Sequence, residues 1–318
     1  MSQIMQRGLK QGLQTTWTLG KVIFPITLIV TILQFTPVLP WFIQLLEPVM
    51  HWIGLPGEAA LPLVLGNVLK LYAASGAISS FEFTVKEVFI MAMMLSFSHN
   101  LFVESAVATR VGVSWWVIVG VRVGLALLSA VVINLLWSGG AETAQYGLIS
   151  VQETVPETWG AILYHGLETA VLAIVQLSLI VIPLMMIMQY LREKGWLNFL
   201  SDLLAPFMRV LGMDKNASMT MVAGLTIGLA FGAGLMIQAV KEDGVSKRDM
   251  YLALIFLVAC HAVVEDTLIF VPLGIPVWPL LLIRLGTAIV LTMIIANIWR
   301  KAENRRKETT DEHTYHTV

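Results

Sequence analysis

The sequence predicts an all-α integral membrane protein whose chain holds one plan twice, with the two copies in inverted orientation. Three observations carry this. The 318 residues are 57% apolar and only 13% charged, with a mean hydropathy of +0.78, whereas soluble domains carry about 25% charge. Several apolar stretches approach or exceed the roughly 20 residues needed to cross about 30 Å of hydrocarbon. A set of polar residues also recurs at a fixed offset: His99 and His261, Glu104 and Asp266, and Arg122 and Arg284 are each 162 residues apart.

Each element follows in order. Residues 1–16 carry Arg7 and Lys10, and Ile4, Leu9 and Leu13 are spaced for a loose amphipathic helix or a short floppy terminus on the cytoplasmic side. No small-residue cleavage site closes a short apolar region, so the reading excludes a cleavable signal. The first membrane repeat is placed at 17–137. Its first span, Trp17–Phe35, is stopped by Pro37 and Pro40. Trp41–Ile53 is too short to cross, and its tryptophans suit an interface. A second span over Leu55–Ser79 is rich in glycine and alanine, which let helices approach closely in lipid. Asn67 and Lys70 lie one turn apart in it and are expected to point inward together.

After a turn at Phe81–Lys86, Val88–Val107 is interrupted by His99 and Asn100. It reads as a kinked span or a re-entrant pair of half-helices. Val113–Trp137 is a clear span with Arg122 near its middle. Residues 138–158 form the linker, with Glu142, Glu153 and Glu157 and no lysine or arginine.

The second repeat, 159–299, follows the same order. Gly160–Tyr190 is a long span containing Pro183, and Trp196–Leu211 is short and amphipathic. Asn216–Val240 is a charge-free, glycine-rich span, and Met250–Phe270 carries His261, Glu265 and Asp266. Trp278–Trp299 is the last span, with Arg284 inside it. Residues 300–318 form a basic, then polar tail, expected to be disordered and cytoplasmic.

Basic residues near both ends place the two termini inside, and the linker without them belongs outside. These placements hold together if each half crosses three times and the histidine segments are re-entrant. If those segments cross fully, each half has four spans and the repeats are parallel.

An imidazole and a carboxylate inside an apolar segment mark a function or a buried network. His99, Asn100, Glu104, His261, Glu265 and Asp266 form one site if the two segments meet. His261 and Glu265 stand at i,i+4, which stacks them on a continuous helix. Two imidazoles and three carboxylates suit Zn²⁺, Fe²⁺ or Mn²⁺, a proton relay or Na⁺. Histidine titrates near neutral pH, so proton coupling belongs to the same reading. The plainer alternative is a structural network in which the carboxylates neutralise Arg110, Arg122 or Arg284. Arg122 and Arg284 suit an ion pair with Glu104 and Asp266, or an anionic ligand group. Lys70 and Asn67 have no charged counterpart at Leu225 and Gly228 in the second half. Met91, Met93 and Met94 read as packing. One cysteine, Cys260, excludes an intrachain disulfide. No Walker loop and no nucleophile with a paired base is present, so no enzymatic activity is expected. Nothing implies a resident cofactor, a divalent metal or Na⁺ apart, and a net charge of −1 gives no reason to expect nucleic-acid binding.

Leu46–Glu47–Pro48 with Gly54 and the small-residue stretch Gly66–Gly76 recur at Leu204–Ala205–Pro206 with Gly212 and at Gly224–Gly234. On these residues the chain resembles the bacterial nucleoside recognition, or Gate-domain, membrane proteins. That group includes the spore maturation membrane proteins and shares its domain with concentrative nucleoside transporters and the ferrous-iron transporter FeoB. The resemblance implies a bacterial inner-membrane protein that moves a small solute, such as a nucleoside, an organic anion or a divalent cation. It transfers no ligand residue. Rocking of one repeat against the other is the expected mechanism. The competing expectation is a membrane scaffold or assembly protein that transports nothing. Membrane lipids, a small solute or ion, and a second copy of the chain are the expected partners.

Overall fold

The computed structural model describes residues 3–36, 38–110, 112–147, 158–229, 236 and 244–315. Among them the regular structure is helical, apart from one isolated bridge between Thr84 and Thr143. The first part of the chain forms α1 (Gln3–Gln34), α2 (Val38–Trp52), α3 (Ala60–Val68), α4 (Leu71–Ile78), α5 (Val85–Ser98), α6 (Leu101–Arg110) and α7 (Trp115–Leu136). The second forms α8 (Trp159–Glu193), α9 (Trp196–Val210), α10 (Ser218–Ile227), α11 (Lys247–Ala259), α12 (Glu265–Leu268) and α13 (Val277–Tyr315).

The protein is an all-α integral membrane protein. Among the described residues, three helical stretches are long and apolar enough to cross a bilayer: Val85–Arg110, Trp115–Leu136 and Val277–Arg305. A fourth is possible if Ile43–Trp52 and Gly57–Val68, bent by 95° against each other, count as one span. The sequence reading expected six.

Two helices form the centre. Residues Val88–Ser98 of α5 and Leu252–Ala259 of α11 are buried without interruption. This explains why neither shows an amphipathic pattern: a helix apolar on all sides is one surrounded on all sides. Both start at a hydroxyl cap. Thr84 Oγ1 accepts from the Glu87 backbone N–H at 3.3 Å, and the Glu87 carboxylate accepts from Thr84 N–H at 2.8 Å. Ser246 Oγ accepts from the Asp249 N–H at 3.0 Å. Such caps satisfy donors that the first turn leaves open. Around this pair, α7 packs on both α5 and α11, and so does α13. The outer faces of α7 and α13 carry exposed Trp116, Leu135, Leu136, Trp278 and Leu282, as a lipid-facing helix must.

α1 and α8, the first helices of the two parts of the chain, run against each other. A Cβ at Gly8 would lie 2.7 Å from the Met186 Cα, and one at Gly12 2.9 Å from the Ile182 Cα. Glycine lets the two backbones touch there. Of the linker, residues 138–147 pack down on the protein. The Phe83 N–H donates to the Tyr146 hydroxyl at 3.2 Å, and burial pushes that phenol above its usual value. Residues 148–157, with Glu153 and Glu157, lie outside the described residues.

Several sequence expectations are corrected by backbone breaks. The amphipathic N-terminal segment and the first span are one helix from Gln3. The span expected over Leu55–Ser79 is split at Leu69–Lys70, where Lys70 takes an extended conformation (φ −153°, ψ 160°). Asn67 and Lys70 therefore share no helix face: Asn67 Nδ2 donates to the Leu63 carbonyl at 2.7 Å, and Lys70 is exposed. The span expected over Asn216–Val240 is broken at Gly228, whose φ is +86°; Leu229 and Met236 are again helical, and 230–235 and 237–240 lie outside the described residues. The tail expected to be disordered continues α13 to Tyr315. Its run of Lys, Arg and Glu is made of good helix formers. Finally, Val85–Arg110 passes as one span of 26 residues, which favours the kinked-span alternative over a re-entrant hairpin for the first histidine segment.

Candidate functional site

The site is made by helix ends. α5 ends at His99 and α6 begins two residues later, with Asn100 at φ +49°. α11 ends at Cys260, and Ala262 takes φ +41° before α12. Both breaks are held by a neighbouring helix end. The Asn100 N–H donates to the Gly66 carbonyl at 2.8 Å, and the Ala262 N–H to the Gly224 carbonyl at 3.0 Å. Neither glycine accepts a Cβ, which would stand 2.4 Å from a side-chain carbon of Leu95 at Gly66 and of Leu257 at Gly224. The ends of α3 and α10 thus come up close under the two breaks.

Leu95 and Leu257 also orient the imidazoles. His99 Nδ1 donates to the Leu95 carbonyl at 2.7 Å, and His261 Nδ1 to the Leu257 carbonyl at 2.7 Å. These bonds place the proton of each neutral ring on Nδ1 and leave Nε2 as a lone pair. The rings face each other with centroids 5.2 Å apart.

Both Nε2 atoms look at carboxylates. Glu104 and Asp266 stand in the first turns of α6 and α12, where the helix dipole favours negative charge. Glu104 lies 3.6 Å from His99 Nε2 and 3.3 Å from His261 Nε2. Asp266 lies 3.9 Å from His99 Nε2 and 3.6 Å from His261 Nε2. Each imidazole therefore meets one carboxylate from each part of the chain. His99, His261 and Asp266 each offer a ligand atom within 4.8 Å of the others, a grouping able to hold a metal ion.

Two arginines brace the acids. Arg122 contacts Glu104 at 2.8 Å and donates to the carbonyls of Phe97 (2.7 Å) and His99 (2.5 Å). Arg284 contacts Asp266 at 3.3 Å and donates to the His261 carbonyl at 2.9 Å and to Thr267 Oγ1 at 3.4 Å. Both guanidiniums are fully buried. Each satisfies carbonyls that a broken helix leaves without a partner while balancing one carboxylate. Removing either member of such a pair leaves a buried charge uncompensated.

Of the residues singled out in the sequence, His99, Glu104, Arg122, His261, Asp266 and Arg284 come together. Asn100 contributes its backbone at the break. Glu265 turns elsewhere: the Tyr72 hydroxyl donates to its carboxylate, joining α4 to α12. The expected helical stack of His261 on Glu265 is not formed, because the chain is unwound from Cys260 to Val264. Arg110 is exposed, as is Lys70, and Asn67 bonds within its own helix. Met91, Met93 and Met94 are buried packing residues, as expected. Sequence reasoning missed Tyr72, the orienting carbonyls and Thr267. A phenol among Ala73, Ala74, Gly76 and Ala77 was the one available signal.

The family profile described as Gate, nucleoside recognition, matches residues 16–115 and 174–275. These two stretches contain His99 with Glu104 and His261 with Asp266. The chain is also similar to the uncharacterized membrane protein YvoD of Bacillus subtilis (strain 168), 62% identical over 301 residues that cover 95% of this chain and 96% of that one.

Proposed function

The chain belongs to the Gate family of nucleoside-recognition membrane proteins, and from that premise we propose that it is a secondary transporter of a small solute. It is a bacterial multi-pass membrane protein in which the matched domain is one of recognition, not catalysis. In this reading it resides in the inner membrane with both termini in the cytoplasm. The solute, nucleoside-like, an organic anion or a divalent cation, passes between two inverted repeats that rock about a central site. A proton or sodium gradient drives the cycle.

One observation supports this above the others: two broken helices, one from each matched stretch, bring two imidazoles and two carboxylates together in a buried cluster. Broken helices near the centre are where secondary transporters hold their solutes, because open backbone groups are available there. The local likeness of the two stretches supports a repeat: glycine carbonyl, hydroxyl cap, leucine carbonyl, histidine, acid and arginine recur in order. Inversion needs an odd number of crossings per half. Val85–Arg110 and α7 supply two, and the 32-residue α1, long enough to cross, supplies the third if it spans and the bent Ile43–Val68 region is the re-entrant part.

The test is uptake by proteoliposomes under imposed proton and sodium gradients, across nucleosides, organic anions and divalent cations. Accumulation that disappears in Glu104→Gln and His261→Ala supports the reading, and no uptake of any class under either gradient removes it. A second reading, a non-transporting scaffold, draws on the full engagement of Arg122 and Arg284 with break carbonyls. It predicts that no solute or ion raises the melting temperature of the purified protein.

A further inference from the structure

We propose that the buried cluster is a binding site for a divalent first-row transition-metal ion, ligated by His99 Nε2, His261 Nε2 and an Asp266 oxygen. This names the solute class and rests on the reading of the cluster as the transport site.

The first argument is the direction of the lone pairs. With Nδ1 of both rings donating to a backbone carbonyl, each neutral imidazole presents an acceptor to carboxylates that are also acceptors. His261 Nε2 has no hydrogen-bond partner although the residue is 1% exposed. A buried acceptor left without a partner costs about 1–3 kcal/mol. An electropositive guest at the centre removes that cost. Orientation of a ligating imidazole by a carbonyl on its other nitrogen is also how metal sites fix the tautomer.

The second argument is size. Charge-assisted hydrogen bonds would close the nitrogen–oxygen gaps to about 2.7–2.9 Å. Within the proposed ligand set, Asp266 stands 3.6 Å from His261 Nε2 and 3.9 Å from His99 Nε2, and all three ligand atoms lie within 4.8 Å of one another. Ligands about 2.0–2.2 Å from a tetrahedral ion stand roughly 3.3–3.6 Å from one another. The three groups are thus held apart rather than closed into hydrogen bonds, and a shift of a few tenths of an ångström brings Asp266 to ligating distance beside both imidazoles.

The donor set selects the ion. Two imidazoles with one carboxylate suit Zn²⁺, Fe²⁺, Mn²⁺ or Co²⁺, while Mg²⁺ and Ca²⁺ call for oxygen alone. Between the acids, Glu104 is tied to Arg122 at 2.8 Å, whereas Asp266 stands 3.3 Å from Arg284. Asp266 is thus the more loosely held carboxylate and the one grouped with both imidazoles, and Glu104 supplies charge beside it. Three protein ligands leave a fourth position open, which suits an ion that must also leave.

The experiment uses the full chain, purified in mild detergent, stripped with chelator and titrated with Co²⁺ and Zn²⁺. The expected result is one ion per chain, a Co²⁺ visible spectrum of low-symmetry nitrogen–oxygen coordination, and displacement of Co²⁺ by Zn²⁺. His99→Ala, His261→Ala and Asp266→Asn should each weaken binding by tenfold or more. Substitution of the exposed His51 by alanine should change nothing. Asp266→Asn keeps shape and volume, so it reads out the site even where an alanine variant fails to fold. No stoichiometric binding by the wild type overturns the proposal, as does binding that survives Asp266→Asn and His99→Ala. Proton-driven uptake of an organic solute with no bound metal overturns it while leaving the transporter reading intact. Metal binding without uptake of any solute does the reverse.

Discussion

The two histidine segments share their contacts and differ in their backbone. In the first, α5 is interrupted for two residues at His99–Asn100, and the helix then resumes for ten, so that Val85–Arg110 remains one span. In the second, α11 stops at Ala259, five residues stay unwound, and α12 lasts only four. Asparagine tolerates left-handed backbone through its short polar side chain. Alanine at φ +41° has no such help, and Pro272 and Pro276 forestall a longer helix downstream. The bracing differs in step: Arg122 holds two carbonyls and a close carboxylate, Arg284 one carbonyl and a looser one. One side of the cluster is built rigid and the other compliant. The lesson is that the site is specified by where helices end, and that the same side-chain set can be mounted on a stiff or a yielding frame.

The sharpest way to break this comparison is to remove the braces. Arg122→Ala leaves Glu104 and two carbonyls buried without a partner and is expected to cost about 3–5 kcal/mol. Arg284→Ala should cost less, because its contact is longer. Melting in detergent by intrinsic fluorescence checks the order, and equal losses would abolish the stiff-versus-compliant distinction. A smaller effect comes from Tyr72→Phe, which strips Glu265 of its hydroxyl partner. It should lower stability by about 1–3 kcal/mol and speed hydrogen exchange in α12 more than in α6. Smallest is the backbone itself. Ala262→Gly relieves a left-handed alanine, a conformation that costs roughly 1–2 kcal/mol. Part of the gain returns as unfolded-state entropy. A rise in melting temperature is expected there, against a fall for Asn100→Ala.

Much of the site was legible in the chain because chemistry in the wrong solvent stands out. His99, Glu104, Arg122 and their counterparts at 261, 266 and 284 were found by type and offset, and they meet. The errors came where spacing was converted to direction. Asn67 with Lys70, and His261 with Glu265, share a face only on an unbroken helix, and both pairs straddle a break. Those breaks are set by long-range bonds such as Asn100 to Gly66 and Ala262 to Gly224, which no local window contains. The glycine-rich stretch is broken likewise at Gly228, next to the Gly224 carbonyl that Ala262 engages. Tyr72 was passed over because its partner is 193 residues away.

Cys260 was noted at the outset for what it excludes, and its position gives it a use. It adjoins His261, is wholly shielded, and is the chain's single thiol. A small alkylating reagent can reach that sulfur only while the second frame swings aside. Its labelling rate in the unaltered protein is therefore a clock for exposure of the centre, with no second sulfhydryl to confuse the count.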